Sequence, residues 1–367
     1  APASIASALF NNRLFLIDAE DQNLLWYSKQ VIENTPIEMS DLLTLYVAPT
    51  TGVQGSTGPM TALGAMDDKL IVFKKDAIYY INGQGPDNTG ANNGFSDPVY
   101  ITSAVGSANP NSIVLIPNGL MFQSDKGIWL LGRDLSTNYI GSPVEIYNSN
   151  IVKSANAVPA TTQVRFVLDN NITLMYDYFF NQWATHSNKD AISATLYQGS
   201  HTYLNNLGQI YQETPNTWLD GSTPVLISLT TSWINIAGLQ GYERFYFANL
   251  LGTYYTPFTL NCTLAYDYNP SALQAVEVLP RNYVSNWGGE NNWGSGGPWG
   301  GPGNVFSARM FPNKQKCQSF QVSINEVYDP SFGQAAGQGL TLSGLALIVG
   351  VKKGYRTQSA AKSFGST

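Results

Sequence analysis

Short runs in which apolar and polar residues alternate, broken by Asn, Asp and Gly, fill the N-terminal part of the chain. Successive side chains of a strand point to opposite faces, so this alternation marks strands that bury at least one face. Five segments share one shape, a β-rich run, a polar turn and a second β-rich run carrying aromatics. They are Leu14–Tyr27 after Asn11-Asn12, Leu70–Ile81 with a Lys75-Asp76 turn and Leu120–Leu131 with Asp125-Lys126-Gly127. Val164–Tyr178 follows, with Asp169-Asn170-Asn171, and then a weaker copy, Leu196–Tyr211, turning at Asn205, Asn206 and Gly208. Asn, Asp and Gly supply the positive φ that tight hairpin turns demand, so each segment reads as a hairpin. The first four recur at roughly 50 residues, the pitch of kelch-type blades. The pattern predicts an all-β chain opening with a β-propeller, whose radial blades protect their own edges. An irregular stack of meanders without a closed ring is the plainer alternative.

The pattern changes near Asp220-Gly221. Longer runs follow, Pro224–Ile236, Tyr242–Leu250, Phe258–Tyr268, Phe320–Val327 and Leu340–Val351, spaced as in an antiparallel sandwich. Two domains are expected, a propeller over 1–221 and a β-sandwich-like domain over 222–367, in line with a prior of about 150 residues per domain. Inside the second lies a Gly- and Trp-rich stretch at 287–303, where glycines and prolines exclude a helix or a central strand. It reads as a long loop holding Trp287, Trp293 and Trp299.

Composition narrows the functional classes. The hydrophobic fraction of 43% is ample for a core, but only 12% of residues are charged, against about 25% in ordinary globular chains. The surface is therefore largely neutral and polar. A formal charge of −6 argues against a dedicated duplex-DNA binder, which gains affinity by neutralising phosphates with Lys and Arg. It is compatible with an acidic channel wall along which DNA slides. Cys262 and Cys317, the two cysteines, are too few for a disulfide framework and read as buried thiols. No run approaches the ~20 apolar residues of a membrane span, so membrane insertion is not expected. The chain opens on Ala1-Pro2 without an initiator Met and reads as beginning inside a longer polypeptide.

Candidate chemistry is sparse. The three tryptophans would serve as a subunit contact, pack within the chain, or stack on sugars or bases, and the first use suits Trp in a conformable loop best. Ser124-Asp125-Lys126-Gly127-Ile128-Trp129 approaches the Asp-box of sialidase-like propellers with altered spacing, and an Asp-box is itself a structural turn. The acidic pairs Asp67-Asp68 and Glu20-Asp21 sit at expected hairpin tips, where adjacent side chains diverge and cannot face each other as glycosidase carboxylates do. His186 and His201, the two histidines, read as exposed turn residues and leave little for a triad or metal site. The Asp87–Asp97 segment lacks the EF-hand ligand pattern, although an incidental Ca²⁺ site is conceivable there. No phosphate-binding Gly motif appears. Neither a catalytic residue nor a cofactor is expected.

Four stretches carry a resemblance. They are Thr61–Ile81 (TALGAMDDKLIVFKKDAIYYI), Asn118–Leu131 (NGLMFQSDKGIWLL), Met175–Trp183 (MYDYFFNQW) and Leu342–Gly354 (LSGLALIVGVKKG). In this order they resemble the packaged-DNA-stabilisation, or tail-nozzle, proteins of podoviruses, a propeller followed by a sandwich-like region. The resemblance implies a non-enzymatic virion protein: a hexameric ring below the portal and adaptor that retains packaged DNA, conducts it without sequence-specific binding, and meets other tail proteins distally. It also implies further strands ahead of the first blade, and so a propeller incomplete at its N-terminus. A carbohydrate-binding or carbohydrate-cleaving propeller, such as a receptor-binding tail protein, is the alternative, with a protein-binding propeller scaffold third.

Overall fold

The computed structural model describes residues 2–48, 58–87, 89–187, 189–215, 217–238, 241–279, 304–332 and 334–352. Two compact units divide the chain, Ala1–Glu213 and Thr214–Thr367. The boundary falls ahead of Asp220-Gly221 because Trp218 already pairs with Gly337 of the second unit.

Five antiparallel meanders build the first unit. The first sheet runs β1 (Ser4–Phe10), β2 (Arg13–Asp18), β3 (Leu24–Tyr27), β4 (Thr44–Tyr46), and the second β5 (Met60–Met66), β6 (Lys69–Lys74), β7 (Ile78–Asn82), β8 (Val99–Thr102). The third comprises β9 (Val114–Ile116), β10 (Gly119–Ser124), β11 (Gly127–Gly132) and β12 (Thr137–Tyr139), in sequence order like the others. The fourth is β13 (Val152–Val158), β14 (Gln163–Leu168), β15 (Thr173–Asp177) and β16 (Gln182–His186). Three strands make the fifth, β17 (Ala191–Tyr197), β18 (Ser200–Asn205) and β19 (Ile210–Gln212). First strands of successive sheets lie side by side, β1 by β5, β5 by β9, β9 by β13 and β13 by β17. This is the blade succession of a β-propeller.

Strand alternation explains where the cores lie. The second, third and fourth sheets each offer one face to the preceding sheet and the other to the following one, so their central strands read as near-continuous apolar runs. In β6, Leu70 and Val72 meet Phe15 and Ile17 of the first sheet, while Ile71 and Phe73 meet Leu120 and Phe122 of the third. The fourth sheet turns Val164, Phe166 and Leu168 back towards Met121 and Ile128. Each such Phe or Leu, fully buried, contributes about 2–3 kcal/mol of transfer free energy. Turn chemistry follows the expected residues: Asn11 and Asn12 (φ 46 and 57) join β1 to β2, Asn171 (φ 63) joins β14 to β15, and Gly208 (φ 77) precedes β19.

The second unit is a sandwich. A short hairpin of β20 (Leu219–Asp220) and β21 (Thr223–Pro224) precedes it. One sheet combines β22 (Ser228–Thr230), β24 (Thr259–Tyr266), β25 (Asn269–Val278) and β28 (Phe320–Val327) in the order β22-β28-β24-β25. In the other, β23 (Tyr242–Tyr254) pairs with β26 (Asn304–Met310), β27 (Lys316–Cys317) and β29 (Leu340–Lys352). Phe245, Ala248 and Leu250 of β23 pack with Leu260, Cys262 and Leu264 of β24 and Val322 and Ile324 of β28 in one core. The Phe245 and Phe320 rings stack at 4.2 Å and 9°. Both cysteines are free and buried there, and burial pushes each thiol up to about 11. They are unreactive packing residues.

Candidate functional site

The acidic pairs lie on turns, as alternation required. Asp67 (φ 54) sits between β5 and β6, ion-paired to Arg133, and Asp68 pairs with Lys69. Glu20 and Asp21 follow β2, where their backbone N–H groups donate to Asp18 Oδ1 at 2.7 and 3.0 Å. These donors, the Asp21 N–H above all, hold the Asp18 carboxyl below its usual range. Neither pair forms two opposed acids.

In the Asp87 segment Oδ1 accepts from Thr89 N at 2.9 Å, Thr89 Oγ1 at 2.5 Å and Ala91 N at 3.0 Å, and Oδ2 from Asn92 Nδ2 at 2.7 Å. Donors converging on the carboxylate lower its pKa to about 2, the Thr89 hydroxyl contributing most. A carboxylate so occupied closes its own loop and is poorly placed to bind Ca²⁺. Among the described residues no group of three or more His, Cys, Asp or Glu is arranged to hold a metal ion.

Ser124 and Gly127 pair across the β10–β11 turn, with Gly127 at φ 100. Asp125 and Lys126 form the tip, where Lys126 Nζ donates to Ala104 O at 2.7 Å. The fragment likened to an Asp-box is thus a plain hairpin turn. The histidines depart from expectation. His201 lies on β18 with 1% of its surface exposed, because residues 201, 203 and 205 share the face turned to the fourth sheet; His186 ends β16 half-buried. An alternating strand hides one residue in two, and composition does not say which.

Trp287, Trp293 and Trp299 lie outside the described residues. Within them, the β15–β16 tip carries two adjacent exposed aromatic side chains. Asp177 Oδ1 accepts from Phe179 N at 2.9 Å and Phe180 N at 3.0 Å, Asn181 adopts φ 55, and its Oδ1 accepts from Tyr176 OH at 2.9 Å. The tip holds Phe179 and Phe180 edge-to-face, centroids 4.9 Å apart, with 72% and 65% of their surfaces exposed. Held edge-to-face on a hydrogen-bonded turn, the two rings present apolar surface to solvent. In the sequence the signal for this tip is two consecutive phenylalanines bracketed by the turn formers Asp177 and Asn181.

No protein-family model matches the chain, and a search of curated proteins returns no match. Among solved structures, the chain is similar to BamB from Moraxella catarrhalis, at 9% identity and a TM-score of 0.35 over 56% of each chain. It is also similar to Sqt1 from Saccharomyces cerevisiae (8%, TM-score 0.36, 56% of this chain and 69% of that one). An exo-β-1,3-galactanase from Phanerochaete chrysosporium matches at 9% and 0.35 over 95% and 96%. The match spans little more than half of BamB, and likeness this slight assigns no activity. The class rests on the chain's own topology: an all-β protein with a β-propeller unit followed by a β-sandwich.

Proposed function

We propose that this chain is a structural virion protein of a short-tailed bacteriophage, a tail-nozzle subunit that closes the portal channel, retains packaged DNA and conducts it during ejection. The observation that carries this reading is the hydrogen-bonded, exposed Phe179–Phe180 tip of a chain poor in charge, a feature suited to docking to protein. Supporting it, the carboxylates of Asp67, Asp68 and Asp87 are committed to ion pairs and a turn, and the net charge of −6 suits a wall past which DNA slides. Within the described residues the four resembling stretches fall on β5 to β7, on β10 and β11, on β15 and β16 with their turn, and on β29. Six copies would close a heterologous ring, each presenting the same tip to a different patch of its neighbour, with portal, adaptor and distal tail proteins as further partners. The Trp287, Trp293 and Trp299 segment is proposed as a second contact within that ring.

Electron microscopy and mass photometry of the purified chain test the proposal. Closed six-membered rings are expected. A monomer at all concentrations that binds oligosaccharides would instead support a carbohydrate-binding propeller.

A further inference from the structure

The contact between the fourth and fifth sheets is built unlike the other three. Where β6 turns Ile71 and Phe73 to its following sheet, β14 turns Arg165 and Val167. Among the described residues, the apolar core here has just Val167, Ala191 and Tyr203 as buried members. Its place is taken by charge. Glu213, just after β19, is paired to Arg165 Nη1 of β14 and to Lys189 Nζ at 2.7 Å, and its Oε1 lies 3.7 Å from His201 Nδ1. Lys189 also sits over the Tyr203 ring at 5.4 Å, and Arg165 Nη2 donates to Gln163 Oε1 at 2.9 Å. Among the described residues, neither ring nitrogen of His201 has a hydrogen-bond partner.

One carboxylate thus joins two fixed cations and a fully buried imidazole, with His186 of β16 adding a further titratable group towards His201. Burial, then Lys189, pushes His201 down to about 4. Burial alone would raise Glu213, but Lys189 and Arg165 outweigh it and hold the carboxyl at about 2. Protonating His201 would place a third positive charge in this site, and protonating Glu213 would remove its one anion; either change leaves cations buried without compensation. Other ties between the sheets do not titrate: besides the small apolar core, Ser154 Oγ and Asn156 Nδ2 donate to Ala194 O at 3.1 and 2.9 Å, and the Lys189 N–H donates to Asn171 O at 3.1 Å.

We propose that the fifth sheet, β17–β19, is an acid-released element, latched to the fourth sheet through Glu213 and undocked by protonation at His201 and Glu213 while the first four sheets stay folded. The direction follows from linkage. Both groups titrate lower when docked than when free, so docking is strongest near neutral pH, weakens as pH falls from about 6.5 towards 4 through His201, and weakens again from about 4.5 towards 2 through Glu213.

Hydrogen exchange of the full chain, corrected for intrinsic rates, tests this. From about pH 7 to pH 4, amides of β18 should lose about a hundredfold more protection than those of β6 and β10. Glu213→Gln should show the loss already at neutral pH, and His201→Phe, which keeps an aromatic ring but cannot titrate, should abolish the step between about pH 6.5 and 4. The proposal is overturned if β18 and β6 lose protection together, if β18 holds its protection at pH 4, or if His201→Phe leaves the step unchanged. Should Glu213→Gln fail to fold, the wild-type chain and His201→Phe decide the matter.

Discussion

Arg13 is buried in the first sheet, and its guanidinium answers to backbone carbonyls: Nη1 donates to Ser28 O at 2.9 Å and Nη2 to Pro86 O, with the Tyr27 ring 6.0 Å away. Burial lowers its pKa despite the neighbouring Tyr27. It ties the loop after β7 to β2, an anchoring job that apolar packing alone does not do. Arg13→Met keeps much of the volume and strands both carbonyls, so a loss of about 2–4 kcal/mol is expected, read as a lower urea midpoint at unchanged slope. At this scale the sequence was only half legible. The two cysteines announced themselves as buried hydrophobes because free Cys is usually inside. His201 did not, since its burial is decided by strand register and by the charges that Arg165, Lys189 and Glu213 bring from distant positions.

Hairpins at sheet centres were legible because their turn residues and apolar alternation agree, as at Asp169-Asn170-Asn171 between β14 and β15. Edge strands were not. Val99–Thr102 and Thr137–Tyr139 are short and half-exposed, and take their structure from the neighbour they pair with. β25 opens with Asn269-Pro270, a signal against a central strand and tolerable because β25 lies at a sheet edge. Conversely, the expected Pro224–Ile236 strand is broken up: Pro224 ends β21, Ser228–Thr230 forms β22 and Ile234 makes an isolated bridge to Phe320. Gly119 shows how narrow the tolerance is at a hairpin: at φ 148, an added Cβ would stand 2.0 Å from Leu131 O. Gly119→Ala should disrupt the β10–β11 pairing and destabilise the unit by more than ~1 kcal/mol, seen as a lowered midpoint in chemical denaturation. The β15–β16 tip behaves oppositely, because Phe179 and Phe180 project into solvent. Replacing both with Ser should change stability by no more than about 0.5 kcal/mol, and, if the proposed ring forms through this tip, should shift it to smaller species in mass photometry.

For the whole molecule, charge is the property that composition made plainest and that bears most directly on the proposed DNA conduit. Several of the few cations are already engaged: Arg13 and Lys74 with backbone carbonyls, Arg165 and Lys189 with Glu213, and Arg133, Lys69 and Lys314 with aspartates. A cation satisfied within the protein gains little by moving to a phosphate and releases few counterions there, and counterion release supplies most non-specific affinity for a duplex. Duplex DNA at about 0.15 M salt should therefore bind more weakly than the ~10⁻⁴ M limit of ordinary non-specific binding, with an affinity that barely changes as salt is lowered. Gel retardation across a salt series checks both. A steep inverse dependence on salt would mean that several of these cations leave their partners for phosphate, and the wall would then grip DNA where the proposed conduit needs it to slip.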